Sequence, residues 1–162
     1  MDIGVKAVPL TWQEGANIIV GQTHFIKTAE DLAEILNSSV PGIRYGLAFC
    51  EASGPCLVRT EGNDETLVAD AVRAAKAVAA GHTFFLVLKN AFPINVLNQI
   101  KGCQEVCGIF CATANPLQIL VAASEQGNGI VGVIDGFPPK GVESEKEKAD
   151  RKAMLRKFGY KL

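Results

Sequence analysis

The densest chemistry in this chain lies in Gly21-Gln22-Thr23-His24-Phe25-Ile26-Lys27-Thr28. An imidazole, an ammonium, an amide and two hydroxyls fall within one short stretch, where an apolar run gives way to a helical pattern. Strand ends that face helix starts are where α/β sheets usually take ligands. The set suits a phosphoryl group, with His24 as base or phosphoryl acceptor, Lys27 as charge partner and the helix start as an anion cradle. The same spacing also describes a capped helix carrying a surface histidine and lysine.

Other segments offer partners for such chemistry. Asn90, Phe92 and Asn95 sit at a second strand-to-helix junction, where amides can read a purine edge and an aromatic ring can stack on it; helix capping by the same residues is the alternative. Thr113 and Asn115 end a strand with small polar groups that suit a pocket floor or a turn. Asp135, in Val133-Ile134-Asp135-Gly136, puts a carboxylate at a strand end, where it can ligate Mg²⁺ or deprotonate a hydroxyl, although Asp-Gly is also ordinary turn chemistry. Lys140 sits next in a rigid Pro-Pro-Lys-Gly loop. His82, between Gly81 and a buried strand, is the competing histidine. Gly127-Asn128-Gly129-Ile130-Val131-Gly132 matches a dinucleotide fingerprint in letters only, because Ile130 to Ile134 are β-branched and read as a strand, so a hairpin turn explains it. No P-loop, kinase catalytic-loop or serine-elbow motif occurs.

Periodicity supplies the elements that must position these groups. Strands are expected over 2–9, 16–25, 43–51, 56–60, 83–88, 105–113, 117–123 and 129–134. Helices are expected from Thr28, with Thr28 and Asp31 in a capping-box pattern; from Glu65 to a stop at Gly81; from Pro93 to about Lys101; and from about Glu143. Strands alternate with helices early and form a meander late. The expectation is a single α/β domain over 1–162, a mixed β-sheet with helices on both faces (three layers, α/β/α).

With 162 residues, 48% hydrophobic and 20% charged, the chain can fill one core and is not disordered. A net charge of -1 argues against nucleic acid as the partner. From Lys140 onward the net charge is +4, leaving -5 on the rest; the tail mixes signs and reads as a solvated helix. No run approaches the roughly 20 apolar residues of a membrane span, and no signal-peptide pattern opens the chain, so a cytoplasmic location is expected. Five cysteines without a C-x-x-C pair read as reduced thiols; Cys107 and Cys111 are expected on one strand face.

The blocks NIIVGQTHFIKTAEDL, GLAFCEASGPCLVR, FPINVLNQIKG, EVCGIFCATANP and GNGIVGVIDGFPPKGVE resemble successive segments of the adenosine-specific kinase family, over nearly the whole chain. The resemblance implies adenosine and AMP binding, phosphoryl transfer from ATP to adenosine and a phosphorylated histidine. It also implies a homo-oligomer, trimer or hexamer. His24 maps onto the histidine of the HFIKT block. Lys27 would steady the phosphoryl group. Asp135 would hold Mg²⁺ or orient the ribose. Glu51, Asn90, Phe92, Asn95, Thr113, Asn115 and Lys140 fall in matching blocks as substrate-binding candidates. This arrangement requires His24, Lys27 and Asp135 to face one cleft. A non-catalytic AMP or adenosine sensor would use the same pocket.

Overall fold

The computed structural model describes residues 4–162. Residues 1–3, including the start of the strand expected over 2–9, lie outside the described residues. In chain order the elements are β1 (Gly4–Leu10), β2 (Asn17–Thr23), α1 (Thr28–Ser39), β3 (Arg44–Cys50), β4 (Val58–Gly62), α2 (Glu65–Val78), β5 (Thr83–Lys89), α3 (Pro93–Gly102), β6 (Val106–Thr113), β7 (Leu117–Ala123), β8 (Asn128–Asp135) and α4 (Glu145–Lys157).

The α/β architecture read from the sequence is the one observed, with a different strand pattern. Five strands form one sheet in the order β4-β3-β5-β2-β6, and β1-β7-β8 form a second. Every ladder between these strands is antiparallel. The β2–α1–β3 crossover does return the chain in parallel, as alternating elements suggest. However, β5 inserts between β2 and β3 and runs against both, so neighbouring strands never share a direction.

Alternation along the central strands builds two cores. Ile18, Val20, Ala48, Phe85 and Val87 face α2 and the inner side of the three-stranded sheet. Ile19, Leu47, Phe49, Phe84, Leu86 and Leu88 face α1 and α3. One outer layer is therefore helical and the other is shared between α2 and a sheet. Helix α2 lies close on β3 because Gly46 has no side chain: a Cβ there would come within 2.0 Å of the Val68 backbone nitrogen. Asp64 caps α2, accepting from the backbone N–H groups of Thr66 and Leu67. The helix ends earlier than the Gly81 stop, at Ala79, which itself takes the left-handed conformation at φ 51°.

Two local expectations fail for identifiable reasons. Thr28 does not cap α1: a turn over 25–27 precedes it, and its hydroxyl donates to the Phe25 carbonyl. Cys107 and Cys111 do not share an environment, because register shifts between β2 and β6 interrupt the alternation; Cys107 is exposed and Cys111 buried.

Helix α4 buries no residue of its own. The Ser144–Glu147 capping box starts it, and Lys148–Glu145 and Arg151–Glu143 ion pairs lace its solvated surface.

Candidate functional site

The two ends of the five-stranded sheet divide the candidate residues. At the end where β2 finishes, four chain segments are tied together through backbone hydrogen bonds. The Thr23 N–H donates to the His82 carbonyl at 2.9 Å, the His82 N–H donates to the Cys50 carbonyl at 2.8 Å, and the His24 N–H donates to the Glu105 carbonyl at 3.1 Å. His24, Lys27, Glu51 and His82 therefore lie at one end. His82 takes φ 58°, a strained conformation for a side-chain-bearing residue, and its ring stacks on Phe49 with centroids 6.1 Å apart. Its backbone joins two strands and its ring belongs to the packing. His24 is exposed beside Phe25, whereas His82 is half-buried.

Lys27 is already committed. Its ammonium pairs with Asp31 and, at 3.0 Å, with Glu105 Oε1. Glu105 is only 2% exposed, and its other oxygen accepts the Cys103 thiol at 2.8 Å. Hydrogen bonds to Asp31 and Glu105 hold the Lys27 pKa above its ordinary value. The Cys103 thiol and Lys27 together pull the Glu105 carboxyl down to about 2, against the opposing effect of burial. Burial and the neighbouring carboxylate push Cys103 up to about 11, so this thiol stays protonated at neutral pH.

One cation between two carboxylates leaves a net charge of -1 there, which is unfavourable for a phosphate. The α1 N-terminus offers little more. Its first N–H groups are taken, Thr28 to the Phe25 carbonyl and Ala29 to that of Ile26. The anion cradle expected at this segment is thus largely filled by the protein's own groups. Asp31, Cys103 and Glu105 bring ligand atoms within 4.8 Å of one another. With Lys27 between the carboxylates and the thiol protonated, the group acts as a staple joining α1 to the β6 entrance and does not suit a metal.

Glu51 is also held. Arg59 donates to its Oε1 at 2.7 Å and the Leu57 N–H to its Oε2 at 2.8 Å, and both contacts lower its pKa. Arg59 Nε is buried without a hydrogen-bond partner. Such an atom costs about 1–3 kcal/mol until something accepts from it.

Asp135, Thr113 and Asn115 lie at the opposite end. The Thr113 hydroxyl and the Asn115 amide both donate to Asp135 Oδ1, at 2.7 and 3.2 Å. Thr113 pairs with Ile18 at the start of β2. The strand from Ile18 to His24, at about 3.3 Å per residue, separates the two groups by roughly 20 Å. One chain does not bring His24 and Lys27 into a cleft with Asp135, and the single-cleft arrangement expected from sequence is corrected accordingly. The reason is topological: β6 runs antiparallel to β2, so its end lies beside β2's beginning.

Asn90, Phe92 and Asn95 share the Asp135 end. Asn95 Oδ1 accepts the Phe92 N–H at 2.8 Å, which is helix capping, while Asn90 donates to the Gly42 carbonyl. Phe92 is 59% exposed, and Lys140 is exposed in the loop after β8.

Beside the His82 end, a cleft of about 770 Å³ opens between the end of β3, the C-terminus of α2 and the β7–β8 hairpin. Among its lining residues, Glu51 is the only substrate-binding candidate visible in the sequence. The remainder are mostly alanines, glycines and backbone, types that carry no chemical signal. The glycine segment belongs to a hairpin as expected: the turn spans 124–127, Asn128 and Gly129 open β8 opposite Ala123 and Ala122, and this hairpin forms one wall.

No curated protein sequence matches the chain. The solved structure titled "Crystal Structure of PH1918 protein from Pyrococcus horikoshii OT3" is similar over 99% of both chains, with 40% identity and a TM-score of 0.95. A family model described as "Adenosine specific kinase" matches residues 8–161, taking in β2, the His24 and His82 segments, the cleft and α4. The chain belongs to the adenosine specific kinase family.

Proposed function

We propose that this protein binds adenosine and AMP and transfers a phosphoryl group from ATP to adenosine, with His24 as the imidazole that carries or guides that group. The family match supports a kinase of adenosine. The observation that carries the histidine assignment is the pairing of an exposed ring with a locked backbone: the His24 N–H is bound to the Glu105 carbonyl, and the preceding Thr23 N–H to His82. A fixed backbone under an accessible nucleophile is what positioned group transfer needs.

In this reading an imidazole nitrogen attacks the γ-phosphorus, the bond to the bridging oxygen breaks and ADP leaves. The adenosine 5′-hydroxyl then attacks the phosphohistidine, the imidazole departs, and the hydroxyl proton passes to solvent. Lys27 acts by holding Glu105 and the His24 backbone in place. Mg²⁺ accompanying ATP takes many of its ligands from phosphate and water. The Asp31–Glu105 pair does not suit it, because the Lys27 ammonium already occupies the place between the two carboxylates. Asp135 keeps a second carboxylate oxygen that would suit it but lies at the far end of the sheet.

A non-catalytic sensor of adenosine or AMP is the second reading. It draws on the commitment of Lys27 to two carboxylates, which leaves little cationic charge for a transition state. Turnover separates the two. Purified protein given γ-labelled ATP and adenosine is expected to form AMP and an acid-labile protein phosphate. His24→Asn should lose the label and at least about 100-fold in rate, while His82→Asn, whose Asn tolerates positive φ, should keep the label. A His24→Asn protein that still labels and still makes AMP removes the assignment; saturable binding without AMP establishes the sensor.

The chain is also proposed to form a homo-oligomer. The outer face of the three-stranded sheet presents Val5, Ala7, Pro9 and Ile134 to solvent, and α4 with Phe158 projects unburied. Apolar sheet faces of this kind are usually covered. Using ATP as donor implies a cytoplasmic location. Among the described residues no helix is long and apolar enough to cross a membrane.

A further inference from the structure

The chain separates its charge: residues 140–162 carry a net +4 and the rest -5. The positive part is the one that the fold leaves uncovered. None of the residues of α4 is buried, and a helix of 13 residues left to itself in water is marginal. Its last turns carry two kinds of unused group. Lys152, Arg156, Lys157 and Lys161 take part in no ion pair among the described residues, whereas Lys148 and Arg151 do. Met154, Phe158 and Tyr160 lie exposed among them. The family match runs through this arm to residue 161. Four acids within the same segment argue against a polyanionic surface as its partner.

The His24 end carries the complement. A groove of about 530 Å³ runs between α1 and residues 102–105, where Asp31, Glu34 and Glu105 face the single cation Lys27, a net of -2. Beside it, Phe25 and Ile26 are exposed in the turn that leads from His24 into α1. Helix α1 has 12 residues and α4 has 13, about 18 and 20 Å at 1.5 Å per residue, so one can lie along the other. Helix α4 leaves its own chain at the Asp135 end of the sheet and stays uncovered there, so the groove that it fits belongs to another copy. Phosphoryl transfer needs cations at the moving group. Those of the His24 end are taken, Lys27 by Asp31 and Glu105, and Arg59 by Glu51, which leaves Lys76 in the neighbouring cleft. An arm of +4 on a groove of -2 brings a surplus of +2 beside His24.

We infer that the arm of one copy docks along α1 of a second copy, its exposed aromatics against Phe25 and Ile26, and brings its unpaired lysines and arginine to the phosphoryl group held at that copy's His24. The catalytic site is then completed between copies, each lending its arm and receiving another. The docking stands on complementary charge and apolar surface; the catalytic role rests on the proposed function of His24.

Two experiments test this. Carbodiimide coupling of amines to carboxylates in the wild-type protein should give covalent dimers whose peptides join Lys152, Lys157 or Lys161 to Asp31 or Glu34. Cross-links confined to single chains, or dimers joined elsewhere, overturn the inference. The second experiment co-expresses two chains, His24→Asn with its arm intact, and one carrying Lys152→Gln, Arg156→Gln, Lys157→Gln and Lys161→Gln together. Alone, the glutamine chain should lose at least about 10-fold in kcat while its KM for adenosine is kept, because the arm meets the phosphoryl group and not the base. In mixed assemblies an intact His24 meets an intact arm at about one site in four, so the rate should recover to about a quarter of wild type. A rate no higher than the mean of the two separate variants, or a glutamine chain with wild-type kcat, overturns the inference and leaves the kinase reading standing. A wild type that makes no AMP overturns the kinase reading and the catalytic role of the arm, and the cross-links then decide the docking alone.

Discussion

Replacing Glu105 by glutamine, an isostere without charge, probes the staple beneath His24. The carboxyl is depressed from 4.5 to about 2 in the folded chain. At about 1.4 kcal/mol per unit, the ceiling on its contribution is roughly 3 kcal/mol. Lys27 is 47% exposed and shared with Asp31, so solvent screening reduces the expected value to about 1–2 kcal/mol. The sign is set by the depressed pKa. Above pH 4.5 the carboxyl is ionised in both the folded and unfolded chain, and the stabilisation is fully present. As pH falls from 4.5 toward 2 the unfolded chain takes up its proton first and the stabilisation drains away.

Melting temperature measured from pH 7 to pH 2.5 for wild type and Glu105→Gln checks this. For a chain of this length, about 2–4 °C per kcal/mol gives a gap of about 2–8 °C at pH 7. The gap should close across the acid range as the wild type loses its advantage. Other carboxylates destabilise both proteins in acid, so the difference between the curves isolates this group. A gap that stays constant down to pH 2.5, or no gap at pH 7, refutes the electrostatic account of the staple.

Packing sets two further outcomes. Gly46→Ala forces a methyl to within 2.0 Å of the Val68 nitrogen and 2.1 Å of the Leu67 carbonyl carbon, both backbone atoms. Helix α2 must shift, at a cost of about 3 kcal/mol or more, and thermal unfolding should fall by about 6 °C or more; a change under 2 °C contradicts this packing. Removing residues 143–162 deletes a helix none of whose residues is buried in its own chain. Light scattering should show a smaller assembly for the truncated protein with its circular dichroism otherwise preserved, whereas an unchanged assembly size means that this arm does not hold copies together.

All twelve elements were legible because each is written locally. The run over 83–88, apolar on both sides, marks a strand buried on both faces, and Pro93 marks a helix start. The accessible histidine and the glycine hairpin were readable for the same reason. The partnerships were not. Lys27 looks like a free cation in the sequence, but it is consumed by Glu105, 78 positions later, and by Asp31. Thr28 looks like a cap, but its hydroxyl serves the preceding turn.

Local propensity and periodicity, set by backbone geometry and side-chain shape over a few residues, thus determined which segments are strands and helices and which groups carry chemistry. Tertiary structure alone decided which of those groups meet. A strand's direction depends on which neighbour it pairs with, and that choice is made by burial across the whole sheet. By inserting β5 between β2 and β3 and running β6 against β2, the fold sent Asp135 to the far end from His24 and opened, beside His82, a cleft walled by residues too small to stand out in the sequence.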